Sequence, residues 1–333
     1  MAFGRVLNFT DPFPYQAAIQ AADLEMYPTK KGEFRAELTQ VALNQLWMQR
    51  FHEDLPRIYT GTIRPGRTVV GFLTDEDQPA MRHCSMDLST NDVVVCGGDA
   101  MHQRGEGGAK MGSMSLPTDN LLASYRALIG RDFVAPTTTY LTRPDGALMS
   151  RLRELHKTAG QIAKTAPNLF DLPEVVRSLE ERLTHVMLRC LAENAPSHAS
   201  AGIRRHDAIV GRFEEFLEAN PDRPLYLTEI CAAIGAAERT LRAACEEHLG
   251  MGPIRYLSLR RMHLVRRALL RTDPSMSSVT RIATDHGFWE LGRFSVAYRA
   301  LFGESPSDSL KRPADDRFAF PPGQSTLAGF ADH

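Results

Sequence analysis

The feature that most constrains this chain is an internal duplication in its last third. Ile230 to Pro253 reads ICAAIGAAERTLRAACEEHLGMGP, and Ile282 to Pro306 reads IATDHGFWELGRFSVAYRALFGESP. Ile230, Cys231 and Gly235 fall on Ile282, Ala283 and Gly287 at an offset of 52, whereas Leu241, Ala244, Gly250 and Pro253 fall on Phe294, Ala297, Gly303 and Pro306 at 53. One residue has entered the second turn. Each copy predicts a short apolar helix, a turn opened by glycine, and a second helix whose apolar residues recur at i, i+3 and i+4, so that only one face is buried. This is helix-turn-helix patterning. Near the start of the second helix stand Arg239, Thr240 and Arg242 in one copy and Glu290, Arg293 and Ser295 in the other. These side chains suit a major groove, where Arg meets a guanine edge bidentately and Ser or Thr reaches a base or phosphate.

One such hairpin is a weak signal; two in register are a strong one. Between them, Ile254 to Leu270 holds no Gly or Pro and follows Pro253, a residue suited to the first helical position. The pattern predicts a helix with Ile254, Leu257, Val265, Ala268 and Leu269 inward. It would span ~25 Å at 1.5 Å per residue, on the scale of the ~34 Å between successive major-groove faces of a duplex.

From about Arg204 to Leu310 these residues resemble the DNA-binding domain of the AraC/XylS family of transcriptional regulators, with RMHLVRRALL on the linking helix and ATDHGFWELGRFSVAYRALFGESP as the signature. The resemblance implies two helix-turn-helix units reading adjacent grooves of double-stranded DNA. It also implies activation of transcription, with RNA polymerase as a further partner, and a variable domain that senses a small molecule or mediates dimerisation. Two positions depart from the family pattern. Val296 stands where a basic or polar side chain is common, and Glu238 opens the first reading helix with a negative charge.

Charge supports this reading locally. Residues 221–312 carry 14 Lys and Arg against 10 Asp and Glu, whereas the whole chain has a net charge of −1. Phosphate binding needs clustered cations rather than a basic chain, and releases counterions. The competing expectation for Arg260, Arg261, Arg266 and Arg267 is a solvated helix face without a partner.

With 333 residues, 43% hydrophobic and 24% charged, the chain has material for two or three cored domains. No apolar run approaches 18 residues, and the start MAFGRVLNFTDPFP lacks a long apolar core, so a cytoplasmic protein without a membrane span or signal peptide is expected. Cys84, Cys96, Cys190, Cys231 and Cys245 form no C-x-x-C pair and are odd in number, which argues against a disulfide framework. Cys231 and Cys245 align with Ala283 and Tyr298 and read as core residues. A fusion to a cysteine-based DNA-repair methyltransferase would need a zinc-binding cysteine set that is missing.

The fold class expected is α+β. Over residues 1–140, FRAELTQVALNQLWMQRF, IRPGRTVVGFLTD and NDVVVCGGDAMHQR combine β-branched and aromatic residues with partial alternation and turn punctuation, predicting a β sandwich or half-barrel. In the family this place is held by a cupin-like effector domain. Trp47, Met48, Tyr59 and Phe72 are candidate linings of an apolar pocket, and Arg50, Arg57 and Arg64 candidate partners of an anionic ligand. Barrel core or surface is the plainer reading of each. His83 and His102 with Cys84, Asp99 or Glu106 would be the material of a metal site, yet no H-x-H pair or close His/Glu cluster occurs. GEGGAK, residues 105 to 110, lacks the Gly-Lys-Ser/Thr ending of a phosphate loop and reads as a hairpin turn. No metal, cofactor or catalytic residue is expected.

Residues 141–194 read as helical. Leu172, Val176, Leu179, Leu183, Val186 and Cys190 advance by alternating steps of four and three, a narrow seam suited to joining two copies in a homodimer, or else to packing within one subunit. APSHASAG predicts a linker over 195–203, ahead of a DNA-binding domain over 204–312, and residues 313–333 lack periodicity and read as a loose tail. The function expected is a DNA-binding transcriptional regulator, most simply an activator, governed by an effector. Its rivals are a constitutive dimeric DNA-binding protein and a metal-dependent cupin-type enzyme fused to a DNA reader.

Overall fold

The computed structural model describes residues 2–84, 86–98, 100–193, 201–220, 223 and 225–312. Its N-terminal part is built from β1 (Phe3–Phe9), α1 (Pro12–Ala17), β2 (Ala22–Pro28), β3 (Ala36–Ala42), β4 (Trp47–Glu53), β5 (Arg57–Ile63) and β6 (Arg67–Leu73). There follow β7 (Met81–His83), β8 (Met86–Leu88), β9 (Val93–Val95), β10 (Met101–Gly105), β11 (Ala109–Pro117), α2 (Thr118–Ile129) and β12 (Tyr140–Thr142). Among the described residues the strands form two sheets, ordered β1-β3-β4-β11-β6-β9-β12 and β2-β5-β10-β7-β8. The GEGGAK stretch is the β10–β11 turn, with Gly108 at φ 76 supplying the left-handed residue.

The larger sheet is covered on both faces. Toward the smaller sheet it presents Leu7, Phe9 and Leu38, which meet Met26, Tyr59 and Met101. Its other face presents Val41, Met48, Val70 and Phe72 to α2 and to two longer helices, α3 (Gly146–Thr165) and α4 (Pro173–Ala192). A strand buried on both faces has no polar side to alternate with. This explains the near-continuous apolar run from Val69 to Leu73, where only Gly71 interrupts.

The seam of α4 closes inside one subunit. Val176, Leu179, Leu183, Val186 and Cys190 are each at most 7% exposed and share a core with Met149 and Leu152 of α3. Of the two readings left open for this seam, packing within one subunit is the one seen: its side chains are spent on α3 and the sheet. Leu172 is 49% exposed, because it is the N-cap residue of α4 and lies outside the helical register. Across the top, the Glu180 carboxylate accepts from the Gln45 and Leu46 amides of the β3–β4 hairpin at 2.6 and 2.8 Å, pinning helix to sheet.

The C-terminal part is helical: α5 (Ala201–Glu218), α6 (Leu227–Ile234), α7 (Glu238–Leu249), α8 (Pro253–Arg271), α9 (Val279–Asp285), α10 (Leu291–Phe302) and α11 (Pro306–Lys311). The linker expected over 195–203 falls mostly on residues 194–200, outside the described ones, and α5 has already begun at Ala201. The tail 313–333 also lies outside them. Ile230, Ile234, Leu241, Ala244 and Cys245 pack on Ile209, Val210 and Phe213 of α5. Ile282, Ala283, Phe294 and Tyr298 form a second core with Val265 and Leu269 of α8. Full burial of each such large anchor contributes roughly 1.5–3 kcal/mol, so each hairpin depends on its neighbouring helix for a core.

Candidate nucleic-acid interface

The duplication is a duplication of shape. Gly235 and Gly287 take φ 64 and 82 in the turns before α7 and α10, and Gly250 and Gly303 take φ 72 and 79 at their ends. All four sit in the left-handed region, where a side chain is strained and glycine is not. The extra residue lies between Gly287 and α10, as the shift in offset requires. Helix α8 runs from one unit to the other and shares a core with each.

In α10 the anchors are Phe294, 2% exposed, and Tyr298, fully buried, whose hydroxyl pairs with Ser309 at 2.7 Å. At about 100° per residue, a side chain two positions from an anchor points ~160° away from it. Val296 is two positions from both. Arg293 lies beside it on the exposed side, whereas Ser295 and Glu290 are exposed on the flanks. In α7 the anchors Leu241, Ala244 and Cys245 are fully buried, and the same geometry aims Arg239 and Ala243 outward. Arg242 and Thr240 flank them, Arg242 exposed and Thr240 half-buried.

Arg242 pairs with Glu238 at 2.8 Å, and Arg293 with Glu290 at 2.8 Å. Such exposed pairs along a helix contribute roughly 0.3–0.5 kcal/mol, so either arginine is released at little cost. Among the described residues Arg239 has no ion pair. Glu238 thus acts as a holding partner for Arg242, a use of the charge that its position alone does not reveal.

The arginines of α8 are placed otherwise. Arg266 pairs with Asp11 just ahead of α1, and Arg267 with Glu25 of β2. Arg260 is 8% exposed, and Arg261 donates to the Leu225 carbonyl at 2.7 Å. The His263 Nε2 faces the Pro28 carbonyl at 3.2 Å, and Tyr27 packs edge-on against Tyr256. Burial pushes the His263 imidazole down to about 3, so it is neutral and donates to that carbonyl. Neither a solvated face nor a phosphate clamp describes these residues: Arg266, Arg267 and His263 dock the linking helix on the β domain, and Arg261 ties it to the stretch just before α6. Ile254, expected inward, is 60% exposed: Pro253, Tyr256 and Leu257 take the buried side of the first turn, and Ile254 falls with Arg255 and Ser258 on the exposed side.

A helix-turn-helix domain family matches residues 230–312. The chain is 33% identical over 131 residues to the XylDLEGF operon transcriptional activator 2 of Pseudomonas putida, covering 39% of this chain and 83% of that protein. The chain belongs to the AraC/XylS family of transcriptional regulators. It is also 38% identical over 103 residues to the "Probable thc operon regulatory protein" of Rhodococcus erythropolis, where the match spans 31% of each chain. Among solved structures, that of the AraC-like transcriptional activator CuxR overlays on 80% of this chain and 95% of its own, with a TM-score of 0.41 and 15% identity.

This AraC/XylS-family regulator holds a small, partly open pocket between its sheets. It measures about 60 Å³ and is lined by Tyr59, Arg57, Glu53, His83, Gln103 and Met101, among others. Glu53 and Arg57 are each 1% exposed; the carboxylate takes the Arg57 Nε at 2.9 Å and the hydroxyls of Tyr15 and Tyr59 at 2.5 and 2.8 Å. Burial, and then the Glu53 charge, raise both phenols far above their usual range. Arg57 Nη1 and His83 Nε2 are buried with no hydrogen-bond partner among the described residues.

Of the candidate pocket residues, Tyr59 and Arg57 reach this cavity. Met48 and Phe72 point to the helical side, Trp47 stacks on Arg67, Arg50 bonds the His156 Nδ1 at 2.9 Å, and Arg64 pairs with Asp23. Glu53 escaped the sequence reading: an acidic residue in a strand reads as surface, and only the fold brings two tyrosines to it. Among the described residues no group of three or more His, Cys, Asp or Glu is placed to hold a metal ion, and Asp99 lies outside them.

Proposed function

We propose that this regulator binds duplex DNA sequence-specifically by laying α7 and α10 in adjacent major grooves, and that it activates transcription with RNA polymerase as partner. One observation carries the reading. Two helices with fully buried inner faces leave Arg239, Arg242 and Arg293 in solvent, and a single shared helix fixes their separation. Arg239, Thr240, Arg242, Glu290, Arg293 and Ser295 are the proposed groove and backbone contacts. The activator role is supported by the names of the Pseudomonas putida relatives.

The effector reading is supported by the unpartnered Arg57 and His83 nitrogens, which leave hydrogen-bonding capacity inside the barrel. A pocket of about 60 Å³ falls well short of the roughly 300–1,000 Å³ of an ordinary ligand site, so an effector of that size has to part the sheets. Strand β2 is shared between the barrel and the docking contact, and an effector that favours one β2 position shifts the α8 contact by its differential affinity for the two states. A cytoplasmic homodimer belongs to the same proposal, its contact lying elsewhere than the α4 seam.

The test is selection of bound fragments from a random-sequence DNA pool by the full chain, followed by a thermal-shift screen of metabolites on the same protein. The expected results are a selected sequence bound far more tightly than competitor DNA, and a metabolite that raises the melting temperature by mass action. Failure to enrich any sequence overturns the DNA reading; enrichment with binding indifferent to every stabilising metabolite leaves a constitutive regulator.

A further inference from the structure

We infer that α10 reads its groove mainly through an apolar contact, with Val296 seated against thymine methyl groups; this rests on the proposed DNA reading. Val296 is 72% exposed and points ~160° away from both anchors of its helix, the direction most fully turned outward. Valine is a poor helix former, and at an exposed site it contributes no core. Helix stability therefore gives no reason for it there.

Its neighbours say what it meets. Gly292, one turn before, and Ala300, one turn after, lie on the same outward side and are small and exposed, so the helix backbone can approach a surface closely with Val296 as the protruding group. Arg293 and Arg299 stand exposed to either side of that strip. A narrow apolar ridge between two cations matches a polyanion with methyl groups on its floor, the pattern of a major groove at A·T pairs. A protein partner would gain little from the flanking arginines unless it were acidic as well as apolar. In the other copy the equivalent position is Ala243, and there the outward lead is taken by Arg239.

Val296→Ala is the variant, and the probe is the DNA fragment that the full chain selects from a random pool, prepared once with thymine and once with uracil throughout. Uracil pairs identically and lacks the methyl. The wild-type chain should lose about three- to tenfold in affinity on the uracil fragment for each contacted methyl pair. V296A should bind the thymine fragment with a similar loss and show no further loss with uracil. An unchanged melting curve shows that the exposed substitution leaves the fold intact. Equal wild-type affinity for both fragments overturns the inference while leaving DNA reading in place, as does a V296A chain that discriminates thymine from uracil as well as wild type. A chain that selects no fragment removes the reading beneath it.

Discussion

Helices α7 and α10 share a backbone plan and differ in what they hold outward. In α7 the outward direction is led by Arg239, with Ala243 behind it; at the equivalent places α10 has Gly292 and Val296. The inner faces differ in bulk at equivalent places, Leu241 and Cys245 in α7 against Phe294 and Tyr298 in α10. A duplicated scaffold can thus keep its anchors and its left-handed glycines while its two outer surfaces diverge. On the proposed DNA reading, one copy suits hydrogen-bond readout and the other methyl readout.

A second contrast sets the reading arginines against the docking arginines of α8, and here the largest effect is expected. Arg266 is 13% exposed and its partner Asp11 is 11% exposed, so Arg266→Met strands a mostly buried carboxylate. The substitution should lower stability by about 3 kcal/mol, read from urea unfolding, while the salt dependence of DNA binding stays as it was. Arg239→Ala should do the reverse: stability unchanged, affinity for the selected fragment reduced by ~1–3 kcal/mol, and preference relaxed at one base pair. Arg293→Ala should cost less than Arg239→Ala, since Arg293 stands aside from the outward direction and is already paired to Glu290. If Arg266→Met weakened DNA binding and left unfolding untouched, the division between docking and reading arginines would be wrong.

An effect smaller per pH unit distinguishes the docking contact by pH. The His263 imidazole is held at about 3 in the folded chain by burial, against an ordinary value near 6.5. Below pH ~6.5 the unfolded chain takes up this proton and the folded chain does not, so stability is present above that pH and is lost as pH falls toward 3. His263 contributes ~1.4 kcal/mol per pH unit in that window. His83 and His102, held near 4, and His156, held near 3, add slopes of the same sign. His263→Gln should flatten the pH dependence of the urea midpoint by one proton; an unchanged slope would mean that this imidazole is already charged when folded.

What the sequence disclosed and what it withheld follow from range. The paired hairpins were legible because every constraint on them is local: four glycines where φ must be positive, and anchors at helical spacing. The strands were legible in part, blurred because burial on both faces erases alternation. The role of α8 was not legible. RMHLVRRALL reads as a basic face, and nothing within it reveals that Asp11 and Glu25, more than 240 residues earlier, occupy that face. The α4 seam had the correct spacing but no local mark of whether α3 or another copy covers it. Of the proposed site, the exposed arginines were legible, whereas Val296 drew notice only as a departure from the family pattern.

The central claim is that two unlike helices on one scaffold read two neighbouring grooves. Hydroxyl-radical footprinting of the full chain on its selected fragment tests this most directly, alongside R239A and V296A. Two protected patches about one helical turn, ~10 base pairs, apart are expected, with R239A weakening protection in one patch and V296A in the other. A single patch, or both substitutions weakening the same patch, would contradict it.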